Sequence, residues 1–213
     1  MKVRVSIGNL VPRVEVLETG QEFFVGILNS GAFKKGCRLV QPVGGAAHLT
    51  PVGRKFLEQK FNATDFHKSD ARFVADDSHL EEIFSFFTNR DPQYFETDPT
   101  REIREELSTE ELLGIPSVIT AEEAEKTINI AFGRTVRQPF SDQLGTSPLA
   151  VKGIPSRRMF HLFKMIAPRE IVEKMGVSEA ITFLSAEEVA TTNGGANKGA
   201  TNNGTIIADN FIW

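Results

Sequence analysis

The sequence predicts an α/β fold in which mixed strands are packed between helices. Three observations predict it. Strand-like runs rich in Val, Ile and Phe open the chain and return after residue 127. Helical apolar spacing occupies several of the intervals between them. A hydrophobic content of 40% in 213 residues is enough for a sizeable core. No Pro/Gly/Ser-rich linker divides the chain, so a single domain over residues 1–213 is expected.

The elements follow in order. Val3 and Val5 alternate with Lys2 and Arg4, so residues 2–7 read as a first strand, followed by strands at 13–17, 22–28 and 38–41. Val52, Phe56, Leu57 and Phe61 have helical spacing across 51–61, and Leu80, Ile83, Phe84 and Phe87 repeat it across 76–90, with a short strand at 71–75 between them. A charged helix is expected over 99–112, with Asp98 as its N-cap acceptor, Pro99 as its first residue, Ile103 and Leu107 on its apolar face and Gly114 as its stop. Strands at 127–137, 158–166 and 180–184 and helices at 168–175 and 186–191 complete the alternation. Residues 193–204, rich in Gly and Asn, are expected to form a mobile loop. Apolar character returns at 205–208 and 211–213, which predicts that this segment docks on the body, with Trp213 more suited to packing than to base stacking.

Composition excludes several functions. The apolar runs are too short to span a bilayer, and the first residues carry no secretory or lipidation signal, so a cytoplasmic location away from membranes is expected. The lone Cys37 forbids an internal disulfide, suits a reducing compartment and is expected as a small core residue. A formal charge of −4 gives no general attraction to long nucleic acid. Four histidines, at 48, 67, 79 and 161, show no ligand spacing, so zinc chemistry has little support.

The stretch with chemical content is Arg101-Glu102-Ile103-Arg104-Glu105-Glu106-Leu107. At about 100° per residue its three glutamates fall within an arc of roughly 100°, on a different face from Ile103 and Leu107. Alternating Glu and Arg also describes an ordinary solvated helix surface. The order of residues, however, resembles the core of the Nudix box, Gly-x5-Glu-x7-Arg-Glu-U-x-Glu-Glu-x-Gly-U with U aliphatic, at Arg101, Glu102, Ile103, Glu105 and Glu106. The chain departs from that pattern at Phe87 and Gln93 upstream and at Ser108 and Thr109 downstream. Gly44-Gly45 follows a strand-like run, as the metal-proximal glycines of Nudix proteins do, with residues 46–90 as an insertion before the acidic helix. That layout, with Leu49-Thr50-Pro51-Val52-Gly53-Arg54-Lys55-Phe56-Leu57, is similar to Nudix domains associated with bacterial nucleotide-signalling and antiphage defence systems.

The resemblance implies a Nudix-type α/β/α sandwich with a mixed sheet, enlarged by a helical insertion. It implies a divalent-metal-dependent hydrolase of the phosphoanhydride bond in a nucleoside diphosphate linked to another moiety. Glu105 and Glu106 would be the main ligands for Mg²⁺ or Mn²⁺, Glu102 a further ligand or an orienter of water, Arg101 the partner holding a carboxylate, and a Gly44 or Gly45 carbonyl a further donor. Hard oxygen ligands suit these cations. Glu170 is the candidate for one more carboxylate, with Glu173 and Glu179 as alternatives. Arg157 and Arg158, with Arg134, Arg137 and Lys152, are candidates for the phosphates of a small-molecule nucleotide. Dimerisation through N-terminal strands, common among relatives, is a further expectation. The departures at Gln93, Ser108 and Thr109 leave open a catalytically weak or inactive module that binds a nucleotide signal.

Overall fold

The computed structural model describes residues 1–108, 111–112, 115–138 and 154–212. Thr109, Gly114, Lys152 and Trp213 lie outside the described residues. In chain order the elements are β1 (Lys2–Val16), β2 (Glu22–Leu28), α1 (Ser30–Phe33), β3 (Leu39–Gln41), β4 (Val43–Ala46), α2 (Pro51–Phe61), β5 (Arg72–Asp76), α3 (Leu80–Thr88), α4 (Thr100–Leu107), β6 (Glu111–Leu112), β7 (Ile115–Pro116), α5 (Ala121–Thr127), β8 (Asn129–Arg137), β9 (Ser156–Ala167), α6 (Arg169–Val177), β10 (Ile181–Leu184), α7 (Ala186–Ala190), β11 (Gly199–Ala200) and β12 (Ile206–Ile207). All the strands but β6 and β7 belong to one mixed sheet, in which β12 runs parallel to β3 while β1 runs antiparallel to β2 and β5. The expected mixed α/β fold is thus observed. None of the described helices is long and apolar enough to cross a membrane.

The contacts divide the chain into two compact units. The first comprises Met1–Asn9, Gly45–Asp98 and Thr135–His161; the second comprises Leu10–Gly44, Pro99–Arg134 and Leu162–Trp213.

In the first unit, β1 pairs with β5 so that Val3 faces Ala75 and Val5 faces Phe73. These residues pack with Leu57 and Phe61 of α2 and with Ile83, Phe84 and Phe87 of α3. Thr50 caps α2, its hydroxyl oxygen accepting from the Gly53 N–H at 3.0 Å, and Pro51 occupies the first turn. Asn62 ends the helix at φ 50°, a left-handed conformation that Asn tolerates. The insertion helices therefore form where the apolar spacing predicts them.

His161 is fully buried in this unit, with Nδ1 2.9 Å from Thr135 Oγ1 and its ring stacked 5.9 Å from Phe95. Burial, followed by the nearby Arg90 guanidinium, lowers its pKa from 6.5 to about 4. Unfolding releases the imidazole to its ordinary value, so between pH 6.5 and 4 the unfolded chain binds the extra proton. Stability is therefore full above pH 6.5 and is lost as pH falls toward 4. Urea midpoints measured across this range should fall with acidification in the wild type and more shallowly in His161→Gln.

In the second unit, β1 continues against β2, with Arg13 opposite Phe24 and Glu15 opposite Glu22, and β10 adds to the other edge of β2. One core joins Val14, Val25, Phe163, Met165, Ile171 and Met175 to Ile103 and Leu107 of α4. A second gathers Leu28, Val40, Leu184, Val189, Ile207 and Phe211.

Several expectations need correction. The strands expected at 2–7 and 13–17 are one strand, because Gly8, Asn9 and Pro12 stay extended. Gly8 is needed there: a Cβ would stand 2.7 Å from the Gly45 carbonyl oxygen. Asn9 is fully buried and donates to the Glu96 and Asp98 carbonyls at 3.1 and 3.2 Å. The charged helix ends at Leu107, not residue 112, and begins at Thr100, with Pro99 in the N-cap position. Helices α1 and α5 were not anticipated, although Asn29 caps the first and Thr120 with Glu123 forms a capping box for the second. Residues 193–204 include β11 and make contacts with the residues that follow. Thr192 Oγ1 donates to the Phe211 carbonyl at 3.1 Å, and a Cβ on Gly195 would stand 2.6 Å from Ile212. Phe211 and Ile212 dock as expected. Cys37 is half-buried and belongs to no core cluster.

Candidate active site

The site is built on α4, in the second unit. Ile103 and Leu107, one turn apart, are buried beside Val43, Ile119 and Ala124, which anchors the helix and fixes which edge carries its acids. The helix closes without the Gly of the box. Ser108 stands at φ −116°, outside the left-handed region, and both its N–H and its hydroxyl donate to the Arg104 carbonyl, at 3.1 and 2.5 Å. The Leu107 carbonyl then accepts from the Val118 and Ile119 N–H groups at 3.0 and 3.1 Å. Ser is accommodated because neither φ nor an unsatisfied carbonyl calls for glycine.

Arg101 lies between two of the acids. Its guanidinium contacts Glu102 Oε1 at 2.5 Å and Glu105 Oε2 at 2.8 Å. Glu102 is buried, 8% exposed, whereas Glu105 is largely open to solvent. Glu106 turns toward β4, and its Oε2 accepts from the Gly44 N–H at 2.7 Å. Gly44 adopts φ +125°, a conformation that favours glycine. This backbone is what aims the amide at the carboxylate.

Electrostatics distinguishes Glu106 from its neighbours. Glu106 keeps some solvent exposure, yet burial dominates its environment and pushes its pKa up to about 8. The Gly44 hydrogen bond opposes that rise, the Glu102 and Glu105 charges add to it, and Arg101 opposes it weakly. Glu102, Glu105 and Glu106 offer only oxygen donors, the chemistry that suits a hard divalent cation. Among the described residues, no three acidic, His or Cys side chains are already grouped as a metal cage.

The pattern in this helix has a family behind it. The sequence signature described as the SMODS-associated NUDIX domain matches residues 2–193. The chain belongs to that family. No curated protein and no solved structure matches it.

The remaining candidates of this Nudix domain are placed as follows. Gly45 belongs to the first unit, its carbonyl facing Gly8. Glu170 is exposed in the first turn of α6, and Glu173 and Glu179 are exposed as well. Arg157 and Arg158 lie in the first unit, where their guanidinium groups donate to the Ser156 carbonyl and to Gln138 Oε1, each at 3.2 Å. Arg137 grips Glu81 at 2.8 Å and covers the Phe84 ring. Gln93, at the upstream Glu position of the box, is exposed, and its carbonyl accepts from the capping Thr50 hydroxyl at 2.7 Å.

One cluster has no sequence signal. Asp70 contacts His67 Nδ1 at 3.1 Å, His48 Nε2 at 3.5 Å and the Arg72 guanidinium at 3.2 Å. Residues separated by up to 24 positions meet here through the β-bridge of His48 with Asp70, a pairing no local spacing announces.

Proposed function

We propose that this Nudix domain hydrolyses the phosphoanhydride bond of a nucleoside diphosphate linked to another moiety, using Mg²⁺ or Mn²⁺ held by Glu102, Glu105 and Glu106. The observation that carries the reading is Glu106: a crowded carboxyl beside two others, aimed by the Gly44 amide and raised to a pKa of about 8. A cation would offset the burial, and the lesser repulsion from Glu102 and Glu105, that keep it protonated. When bound, that cation supplies charge to neutralise the diphosphate and acidifies water for attack on phosphorus. The chain's own groups do the positioning. Arg101 holds Glu102 and Glu105 at fixed spacing, Gly44 holds Glu106, and Ile103 with Leu107 keeps the helix from turning. Glu170 is our choice for the additional carboxylate acting as ligand or base.

A second reading is a catalytically weak or inactive Nudix module that binds a nucleotide signal in a defence or regulatory system. It is favoured by Gln93, which supplies no carboxylate where the box carries one. A panel of ADP-ribose, dinucleoside polyphosphates, NAD-like compounds and nucleoside triphosphates, each with Mg²⁺ or Mn²⁺, separates the two. Metal-dependent turnover lost in Glu105→Gln supports the enzyme. Saturable binding without turnover sinks it in favour of the signal-binding module.

A further inference from the structure

Two exposed Asn–Gly pairs follow α7, Asn193–Gly194 and Asn203–Gly204. Asn is chemically labile, and before Gly it is most so, because glycine has no side chain to shield its backbone nitrogen from the neighbouring carboxamide. Whether the two groups react depends on how freely they can meet. The hydrogen bonds around the two pairs differ in that respect.

At Asn203–Gly204 both reacting groups are held. Asn203 Oδ1 accepts from the Thr201 hydroxyl at 2.5 Å and from the Thr205 N–H at 3.3 Å, which fixes the carboxamide. The Gly204 N–H donates to the Thr201 carbonyl at 3.0 Å, so the nitrogen that would attack is engaged. Thr201 and Thr205 are buried, and the Thr201 N–H closes the turn on the Thr205 carbonyl at 2.8 Å. At Asn193–Gly194 the main chain alone is bonded: the Asn193 N–H donates to the Ala190 carbonyl at 3.0 Å, and the Asn193 carbonyl accepts from the Ala196 N–H at 3.3 Å. Neither the Asn193 side chain nor the Gly194 N–H makes a hydrogen bond with the described residues. Asn193 also stands at φ 49°, a left-handed conformation that costs a residue with a Cβ, so leaving it is easier.

We propose that Asn193 is a site of spontaneous deamidation and that the turn around Asn203 protects the second pair. The Gly194 nitrogen attacks Asn193 Cγ, and the new N–Cγ bond closes a succinimide. The Cγ–Nδ2 bond breaks, and ammonia leaves with the proton given up by the Gly194 nitrogen. Water then opens the ring at one carbonyl or the other, to aspartate or to isoaspartate, and in isoaspartate the main chain gains a methylene. The position gives that methylene an effect. One residue earlier, the Thr192 hydroxyl donates to the Phe211 carbonyl at 3.1 Å; two residues later, Gly195 lies against Ile212. Lengthening the chain between these contacts loosens the docking of Phe211 and Ile212. The reaction uses no residue of the acidic helix and stands apart from the hydrolase reading.

The test is peptide mass spectrometry of the full chain incubated at mildly alkaline pH, in native buffer and in urea. In native buffer, conversion at Asn193 runs at least about fivefold faster than at Asn203, the factor that one net hydrogen bond is worth. In urea, where the turn is lost, the two rates converge. Thr201→Val, which removes one donor to Asn203 Oδ1, speeds conversion at Asn203 in native buffer and leaves Asn193 as it was; the urea comparison on the wild type decides the matter if this variant does not fold. The isoaspartyl form, once separated, melts below the unconverted chain. Conversion at Asn193 no faster than at Asn203 in native buffer, or a ratio that survives urea, overturns the proposal. An isoaspartyl form as stable as the unconverted chain overturns the loosening of the docked segment.

Discussion

Replacing Glu106 by Gln is expected to abolish turnover, by at least about a hundredfold, while raising the melting temperature increasingly as pH rises. The activity loss is set by the role proposed for this carboxylate: partners one shell farther from a metal already cost about 10- to 100-fold when removed. The stability gain follows from its environment. In the folded chain its pKa is about 8 against 4.5 for the free group, so between these values the folded state binds the proton that the unfolded state has released. Stability then falls as pH climbs from 4.5 to 8 and is level above that window. The amide of Gln carries no such dependence. The most each pH unit can contribute is about 1.4 kcal/mol, and partial exposure of the residue reduces it. Melting curves in EDTA from pH 5 to 9 would therefore diverge, the wild type dropping below the variant. Saturating Mg²⁺ should close much of that gap by favouring the ionised carboxylate. A gap that stays constant with pH would mean that Glu106 is not held protonated.

The second large effect is expected at Gly53→Ala. A Cβ on Gly53 would stand 1.9 Å from the Tyr94 carbonyl oxygen and 2.7 Å from its carbonyl carbon, both backbone atoms that cannot rotate away. The same carbonyl accepts from the Thr50 N–H at 2.9 Å and from the Thr50 hydroxyl at 3.1 Å, so moving it dismantles the cap of α2. Overpacking typically costs about 1–3 kcal/mol and loss of a cap about another 1 kcal/mol, so the sum threatens the folding of the first unit. Guanidinium titration should show a much lower midpoint, or no cooperative transition from this unit. A shift under about 0.5 kcal/mol would show that the 91–96 turn gives way freely.

Much of this was legible in the residues themselves. The insertion helices announced themselves through apolar spacing at Val52, Phe56, Leu57 and Phe61 and at Leu80, Ile83, Phe84 and Phe87, because one face of each is buried. The acidic helix was legible for the same reason, from Ile103 and Leu107. What escaped notice depended on distant partners. Asn9 looks like a strand breaker until the carbonyls of Glu96 and Asp98 are seen to receive its amide. The Gly- and Asn-rich stretch after Thr192 looks free of apolar anchors until Ile212 is seen over Gly195. The distinction between Glu106 and Glu105 likewise comes from Gly44, a residue 62 positions earlier. Sequence spacing placed all three acids on one face but held no information about which of them a backbone amide would seize.

The two compact units are interleaved along the chain, and this constrains how the protein is made. Each is assembled from three separated segments, so any contiguous fragment that holds all of one also holds part of the other. On the ribosome, residues 1–9 emerge long before residues 135–161, and residues 10–44 long before β9 and β10. The pairing of β1 with β9 must wait for most of the chain to follow. Closing such long loops before any contact rewards them slows folding and lengthens the exposure of strand edges. Truncation after residue 161 should consequently leave every segment of the first unit, but strung together with fragments of an incomplete second one.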